Sequence, residues 1–195
     1  MIFLLLLFIQ INLAIIETNV IIEIDLLRSY PFKKSIITLT NEEEFSNYNY
    51  YIPLNEEIVD IEIKNNENNK QLQYQIKNIE NYKKIEIQFE QTKHIEFSIS
   101  YFEMNNLISK PKKINQFDIN EADYINYYCL ITENKINECK MIIQHPKEIK
   151  INKNSEFQFE TIKNITTFET INNFKEMNYI PFSLHYSPKK HLKIK

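Results

Sequence analysis

The sequence predicts an all-β protein in which an antiparallel β-sandwich domain is followed by a second, smaller β domain. From Ile21 onward, apolar and polar residues alternate with a period of two, which is the pattern of half-buried strands. These runs recur at regular spacing between short polar segments, and no convincing helical period separates them. Regularly spaced strands of this kind are typical of antiparallel sandwiches.

The chain begins with an apolar run, residues 2–9, that has the length of a signal-peptide core. It is too short to cross about 30 Å of hydrocarbon as a helix. Ala14 has the small side chain that a signal peptidase needs before its cut, so residues 1–14 are predicted to be a secretory signal peptide. No Lys or Arg precedes the core, and Asn12 is a poor residue two places before Ala14. The alternatives are an uncleaved N-terminal anchor and a buried strand.

The first predicted β domain covers residues 15–107. The alternating runs place its strands at residues 22–26, 36–40, 58–64, 72–77, 85–89 and 95–101. Polar segments at residues 41–44 and 90–93 are predicted to separate these strands. Because the chain has no glycine, Asn is expected to supply the left-handed backbone conformation that many turns need. The Asn-rich segment 65–69 is therefore predicted to form the loop of a hairpin.

The second predicted β domain covers residues 111–195. Residues 105–113 are the predicted linker, because Pro111 and a polar run interrupt the alternating pattern. The strands of this domain are less regular and are placed at residues 114–119, 124–131, 140–144, 148–151, 156–161 and 182–186. The basic tail, residues 189–195, is predicted to be a frayed chain end.

The residues that usually carry catalysis are scattered or missing. A chain without glycine excludes the standard glycine-rich phosphate loops. His94, His145, His185 and His191 lack the spacing of a zinc site. Carboxylates at residues 42–44 and 56–57 are attributed to solvated turns. We therefore predict no catalytic, cofactor-binding or metal-binding residues and no cofactor, and a net charge of −3 argues against nucleic acid as a partner.

Two covalent modifications are predicted for a chain that enters an oxidising lumen. Cys129 and Cys139 are the only cysteines, and a disulfide bond between them would add about 2 to 3 kcal/mol of stability. The alternative is a pair of free thiols. Residues 164–166 (Asn-Ile-Thr) form an N-glycosylation sequon, so Asn164 is the predicted glycosylation site.

Short segments of the sequence resemble a known family. Residues 97–101, Phe-Ser-Ile-Ser-Tyr, are followed by Leu107, Pro111, Ile114 and Gln116. This arrangement resembles ribophorin I, a subunit of the oligosaccharyltransferase complex, in which a strand that ends in Tyr is followed by these residue types at similar spacing.

Other segments extend this resemblance over residues 15–186 in the same order. Residues 180–186 end in His-Tyr, as a short strand of the family does, and residues 17–26 are similar to the opening strand of the family. The sequence also departs from the family pattern, because Cys-Leu-Ile stands at residues 129–131 in place of Ser-Pro-Tyr. A Tyr-Gly-Pro element has lost its glycine near residues 173–175, and the C-terminal membrane span of the family is missing from the sequence.

The resemblance implies a non-catalytic luminal subunit in the endoplasmic reticulum. Its partners would be the other oligosaccharyltransferase subunits, including the catalytic one, and nascent polypeptides. Membrane association would come through these partners or through an uncleaved N-terminal segment. Tyr-rich patches at residues 48–51 and 124–128 would supply contact area or, alternatively, core packing. The other functional hypothesis is a secreted or cell-surface β-sandwich binding protein without enzymatic activity.

Overall fold

The computed structural model describes residues 17–110, 121–132, 134–145, 149–151, 159–168, 171–174 and 180–186. These residues form thirteen strands and no helix, which confirms the predicted mainly β class. The strands are β1 (Glu17–Asp25), β2 (Phe32–Pro53), β3 (Ile58–Asn65), β4 (Gln73–Ile79), β5 (Tyr82–Glu103), β6 (Leu107–Lys110), β7 (Glu121–Tyr128), β8 (Ile136–Gln144), β9 (Ile149–Ile151), β10 (Phe159–Ile162), β11 (Ile165–Phe168), β12 (Ile171–Phe174) and β13 (Ile180–Tyr186). The predicted signal peptide, the predicted strand at residues 114–119 and the basic tail lie outside the described residues.

The described strands form two sheets. The larger sheet has the order β10-β11-β8-β1-β2-β5-β3, and in addition β12 pairs with β8 and β4 pairs with β5. The smaller sheet has the order β6-β7-β13-β9. Among the described strands every pairing is antiparallel except that of β1 with β8, which is parallel. The larger sheet is therefore mixed and departs in this one pairing from the antiparallel pattern predicted.

Strands β2 and β5 form an antiparallel ribbon that runs through the polar segments at residues 41–44 and 90–93. The prediction that these segments separate strands is wrong. The ribbon absorbs them as bulges, since the register passes from Thr40 opposite His94 to Phe45 opposite Thr92 and then to Asn47 opposite Gln88. The chain therefore continues through both polar segments in the same ribbon without reversing its direction.

The bulges bend the β2–β5 ribbon so that its two halves face each other. The hydroxyl oxygens of Ser35 and Tyr50 lie 3.3 Å apart, although 15 residues of one strand separate them. A straight strand would place these residues about 50 Å apart. The inward side chains of the two halves form the core, where the rings of Tyr48 and Phe97 are 5.7 Å apart. Each fully buried large apolar side chain there contributes about 1.5–3 kcal/mol.

The Asn-rich loop has the predicted chemistry and closes a short hairpin, with backbone hydrogen bonds from Asn65 to Lys70 and from Leu72 to Ile63, each 2.9 Å long. The side-chain oxygen of Asn65 accepts hydrogen bonds from the backbone N–H groups of Glu67 and Asn68, and Asn69 has φ 58°. The hairpin is short, because its one bridge joins Lys64 of β3 to Gln71, which precedes β4, and β3 and β4 then each pair with their own part of β5. The two strands therefore run in line along β5, which is long enough to accommodate both.

The sheets do not divide the chain at the predicted domain boundary. Strand β8, from the second predicted domain, lies beside β1 in the larger sheet, and its buried Met141 and Ile143 join the core of the first. Residues 107–110 of the predicted linker form β6, which pairs with β7 in the smaller sheet. The backbone groups at the free edge of β1 form hydrogen bonds with β8. This pairing joins strands far apart in the sequence, so local sequence patterns do not reveal it.

Left-handed backbone conformations occur at five described residues, none of them glycine: Asp60, Asn69, Glu80, Cys129 and Lys163. Only one is the Asn that the sequence argument favoured. Glu80 and Lys163 open the two-residue turns of the β4–β5 and β10–β11 hairpins. For a residue with a Cβ atom, this backbone conformation is about 1–2 kcal/mol higher in free energy than the right-handed region.

We expect Glu80→Gly to stabilise the protein by about 0.5–1 kcal/mol, because glycine removes the strain at φ 47° but costs more chain entropy on folding. Urea-induced unfolding measures this change. The matched control is Asn81→Gly in the same turn, where no strain is relieved and stability should stay equal or fall. Equal effects of the two substitutions would contradict the strain at Glu80.

Candidate functional site

A buried polar cluster lies at the end of the folded β2–β5 ribbon that is remote from the bend, next to Tyr124 of the smaller sheet. We define it by Lys33 of β2, Glu103 of β5, Tyr124 of β7, Glu56 of the turn after β2, and the paired Tyr50 and Tyr101. All six side chains are buried, and Glu103 and Tyr124 are fully so. The assignment of residues 56–57 to a solvated turn is correct for Glu57, which is exposed, but wrong for Glu56, which is only 6 % exposed.

Short contacts connect the members of the buried polar cluster. The Tyr124 hydroxyl donates a hydrogen bond of 2.6 Å to Oε2 of Glu103, and Nζ of Lys33 lies 3.8 Å from Oε1 of the same carboxylate. The hydroxyl oxygens of Tyr50 and Tyr101 are 3.2 Å apart. Glu103 therefore receives one contact from each sheet and joins the larger sheet to the smaller one.

The turn that carries Glu56 is held in place from three sides. The ammonium group of Lys83 donates a hydrogen bond to the backbone carbonyl of Glu56. The Asn105 side chain accepts a hydrogen bond of 3.1 Å from the N–H of Glu57 and donates one of 2.6 Å to the carbonyl of Asn55. These bonds keep the Glu56 carboxyl group inside the protein, where a free turn would expose it to solvent.

Burial and neighbouring charges shift the pKa values of Glu56 and Lys33 in the buried polar cluster. Burial raises the pKa of Glu56 to about 7, and repulsion from Glu103 adds to this effect, although Lys33 opposes it. Burial also disfavours the charge of Lys33, but its interactions with Tyr50, Glu103 and Glu56 outweigh that cost and raise the pKa of Lys33. The Glu56 carboxyl group thus lies near the Glu103 carboxyl group and near the ammonium groups of Lys33 and Lys83, and its burial favours the protonated form.

The cavity beside this cluster is too small for a substrate. Its volume is about 10 Å³, and its lining includes Lys33, Tyr50, Glu56, Tyr101 and Cys129. A single water molecule needs about 10–15 Å³. The cluster as it stands can hold two sheets together and bind or release one proton, but it has no space in which to position a reactant.

The structure joins Cys129 and Cys139 in a disulfide bond, with their Cα atoms 6.1 Å apart. Both residues are buried, and Cys139 lies in β8 opposite Val20 of β1. The bond therefore ties the segment beside the buried polar cluster to the strand that makes the parallel pairing. Tyr51 and Ile131 form a backbone bridge next to it.

The histidines do not meet in space where they are described. His94 is exposed, and its Nδ1 atom lies 3.0 Å from the hydroxyl oxygen of Thr40. His145 is buried, and its Nε2 atom lies 2.9 Å from the hydroxyl oxygen of Thr166. The side chain of His185 and the whole of His191 lie outside the description. Within the described residues no three His, Cys, Asp or Glu side chains are placed to hold a metal ion, and no helix is long and apolar enough to cross a membrane.

The sequon lies at the turn between β10 and β11. Asn164 is half-buried there, and the hydroxyl of Thr166 is fully buried, 2.9 Å from His145 and 2.8 Å from the hydroxyl of Thr161. A glycosylating enzyme must reach both Asn164 and Thr166, so the sequon is a substrate only before this hairpin folds. Glycosylation of Asn164 stays a prediction.

The Tyr-rich patches contribute to the core where their side chains are described. Tyr48, Tyr50, Tyr51 and Tyr124 are all buried, so they do not supply an exposed contact surface. This outcome agrees with the core-packing alternative for these residues.

Sequence reasoning missed the buried polar cluster although a signal for it was present. The buried positions of β2 run in steps of two through Lys33, Ser35 and Ile37, and those of β5 run through Ile99, Tyr101 and Glu103. Extending the period of two by one residue pair at each strand end places Lys33 and Glu103 on the inward face. The burial of Glu56 left no such signal, because it depends on the contacts of Lys83 and Asn105.

No protein-family model matches this sequence, and no curated protein matches it either. Among solved structures, yeast LTA4 hydrolase in complex with bestatin is similar to 89% of this chain and 28% of its own, at 10% identity and a TM-score of 0.51. An M1 zinc metallopeptidase from Deinococcus radiodurans is similar to 88% of this chain and 41% of its own, at 8% identity and a TM-score of 0.39. This chain spans less than half the length of either protein. At such low identity, the likeness to the hydrolase is one of fold alone.

We expect the stability of the protein to fall between pH 5 and pH 8 because of Glu56. Its pKa is higher in the folded chain than in the unfolded one, so the folded state binds the proton more tightly, and this contribution is lost as the pH rises to about 7 and above. The Glu56→Gln variant should equal the wild type near pH 5 and exceed it at pH 8, by on the order of 3 kcal/mol at most.

Urea-induced unfolding at the two pH values measures this difference. Glu57→Gln is the matched control, because it makes the same chemical change at the neighbouring, exposed carboxyl group. A pH profile of Glu56→Gln parallel to that of the wild type would show that Glu56 titrates normally.

Removing both cysteines by Cys129→Ala and Cys139→Ala should lower the free energy of unfolding by about 3 kcal/mol, since the loop that the bond closes is short. A reductant should lower the stability of the wild type to a similar level and leave the double variant unchanged. Mass spectrometry after alkylation of non-reduced protein provides the chemical check, and two alkylated thiols in protein from a secretory host would refute the bond.

Proposed function

We propose that this chain is a non-catalytic luminal subunit of the oligosaccharyltransferase complex, which supports N-linked glycosylation of nascent proteins in the endoplasmic reticulum. The observation that carries the proposal is the ordered resemblance to ribophorin I at residues 97–116 and 180–186. These segments are distant in the sequence and close in the fold. Residues 97–101 lie in β5 just before Glu103, while Leu184 of β13 is the backbone partner of Tyr124, which binds Glu103.

The disulfide bond supports a luminal compartment. Cys129 and Cys139 are both buried in the core, so their disulfide bond is part of the folded structure and not an adventitious bond between exposed thiols. Disulfide bonds persist in the endoplasmic reticulum and outside the cell, whereas the cytosol keeps thiols reduced. A luminal subunit and a secreted protein both satisfy this condition.

The small cavity of the buried polar cluster favours a structural role for this chain over a catalytic role. Its cavity of about 10 Å³ admits neither a lipid-linked oligosaccharide nor an acceptor peptide. In the proposed function the transfer reaction takes place on another subunit, and this chain contributes rigid sheets with exposed edges to its partners. The partners are the other subunits, including the catalytic one, and nascent polypeptides.

Affinity purification from detergent-solubilised membranes tests the proposal. We expect the tagged chain to co-purify in a stable ratio with the membrane-embedded glycosyltransferase subunit and with oligosaccharyltransferase activity. We also expect depletion of the chain to lower the occupancy of sequons in reporter glycoproteins, and its re-expression to restore it. The purified chain alone should transfer no oligosaccharide.

The Asn164→Gln variant is the matched control. A chain with a sequon also meets the oligosaccharyltransferase as a substrate, and this variant removes that encounter while leaving the rest of the surface intact. A subunit should co-purify equally well with and without Asn164. Loss of co-purification in the variant, or recovery of the intact chain from the culture medium without any glycosyltransferase subunit, would contradict the proposal and favour a secreted binding protein.

A further inference from the structure

Strand β4 leaves one edge of the larger sheet open. It pairs with β5 from Gln73 to Ile79 without a register shift, and it has no strand partner on its other side within the described residues. Every side chain of β4 except that of Tyr74 is exposed. A straight open edge presents a row of backbone donors and acceptors that only another extended backbone complements throughout its length.

The neighbouring edge strand is built differently. Strand β3 contains a bulge between Val59 and Glu62, where Asp60 adopts φ 55°. Bulges of this kind twist an edge away from further pairing and are a common protection against unwanted strand addition. The chain therefore protects β3 and leaves β4 regular, although both strands lie on the same side of β5.

A groove of about 510 Å³ lies beside the first part of β4 and is lined mainly by amide side chains: Gln71, Gln73, Gln75 and Gln88, with Leu72 and Tyr74. The four glutamine side chains make no hydrogen bond or ion pair among the described residues. Uncommitted amides both donate and accept hydrogen bonds, so they suit a polar, uncharged ligand.

The residues that line the groove are all uncharged. The nearby Glu86 carboxylate is paired, since it lies 2.5 Å from the ammonium group of Lys77 and 3.1 Å from that of Lys84. A strongly acidic or basic partner would therefore gain little here, whereas a neutral extended chain would meet matching groups.

We propose that the open edge of β4 binds an extended, uncharged segment of an unfolded polypeptide as an added strand. The backbone of the bound segment pairs with β4, and its polar side chains contact the glutamines of the groove. The identification of this segment with a nascent acceptor chain rests on the proposed function. The strand addition itself does not depend on it.

The backbone groups that pair with the ligand follow from the β4–β5 turn. Ile79 and Tyr82 flank a two-residue turn, so their backbone groups bond to each other, and hydrogen-bonded pairs then alternate along the ladder. The N–H groups of Tyr74, Ile76 and Asn78 consequently point away from β5. These three amides are the donors available to an added strand.

A peptide titration tests the proposal on the full chain. The probe is a fluorescein-labelled nine-residue peptide of alternating threonine and valine with blocked ends, and its control is the same peptide methylated at every backbone nitrogen. We expect saturable binding of the first and none of the second. Hydrogen exchange of the wild type should show new protection at the amides of Tyr74, Ile76 and Asn78, and unchanged exchange at these positions with bound peptide would overturn the proposal.

Two substitutions at one position separate backbone from side chain. Ile76→Pro removes an outward N–H, a change that edge strands tolerate, and should weaken peptide binding at least tenfold. Ile76→Thr changes the exposed side chain, keeps the N–H and should bind within twofold of the wild type. Equal binding by both variants overturns the proposal, as does a homodimer that forms through β4 and excludes the peptide. If Ile76→Pro fails to fold, the exchange measurement on the wild type decides.

The two proposals fail separately. Peptide binding without co-purification of a glycosyltransferase subunit would retain the β4 site and reject the oligosaccharyltransferase assignment. Co-purification without peptide binding or amide protection would do the reverse.

Discussion

The rest of the described structure is arranged around the bend in the β2–β5 ribbon. Bulges at Phe45 and its partners allow an antiparallel pair of strands to turn back so that the inner faces of its two halves meet. Without the bend, the alternating apolar residues of the ribbon would line one face of a flat sheet and would stay in contact with water. With it, a single pair of strands supplies both walls of the core, and the remaining strands extend the sheet from either side.

The bend also buries ionisable side chains, which is unfavourable unless they find partners. It places Lys33 and Tyr50 near each other, with the carboxyl groups of Glu103 and Glu56 beside them. Burying a charge is tolerated where partners and hydrogen bonds compensate it, and here burial raises the pKa of Glu56 to about 7. The hydrogen bond from Tyr124 to Glu103 then uses the same carboxylate to connect the smaller sheet, so the cluster has a structural task that an apolar core would not perform with the same specificity.

The open edges of the larger sheet are places where this fold can bind other polypeptides. The cavity beside the buried polar cluster is too small for a substrate, and in a β protein the open sheet edges present rows of directional hydrogen-bonding groups. The bulge at Asp60 and the regular ladder of β4 distinguish two edges that would otherwise be equivalent. This difference is local, but both edges exist in this position only because β5 is long enough to pair with β3 and β4 in succession.

Much of the fold and little of the buried polar cluster could be read from the residues. The period of two identifies the strands at 58–64 and 95–101 and most of their inward side chains, because alternation reports directly which face a residue occupies. It does not report pairing partners. The parallel pairing of β1 with β8, the bend at Phe45 and the burial of Glu56 all depend on contacts between residues far apart in the sequence.

The sequence therefore predicts features that depend on neighbouring residues, and the tertiary structure decides those that depend on residues far apart in the chain. Local sequence was sufficient for the mainly β class and for the Asn-rich loop, where Asn65 and Asn69 act through their own neighbours. It failed at residues 41–44 and 90–93, since polar residues look the same in a turn and in a bulge. Only the tertiary structure decides that Lys33, Glu56 and Glu103 meet and which sheet edge stays open. Both depend on the registers of paired strands, and a register cannot be read from either strand alone.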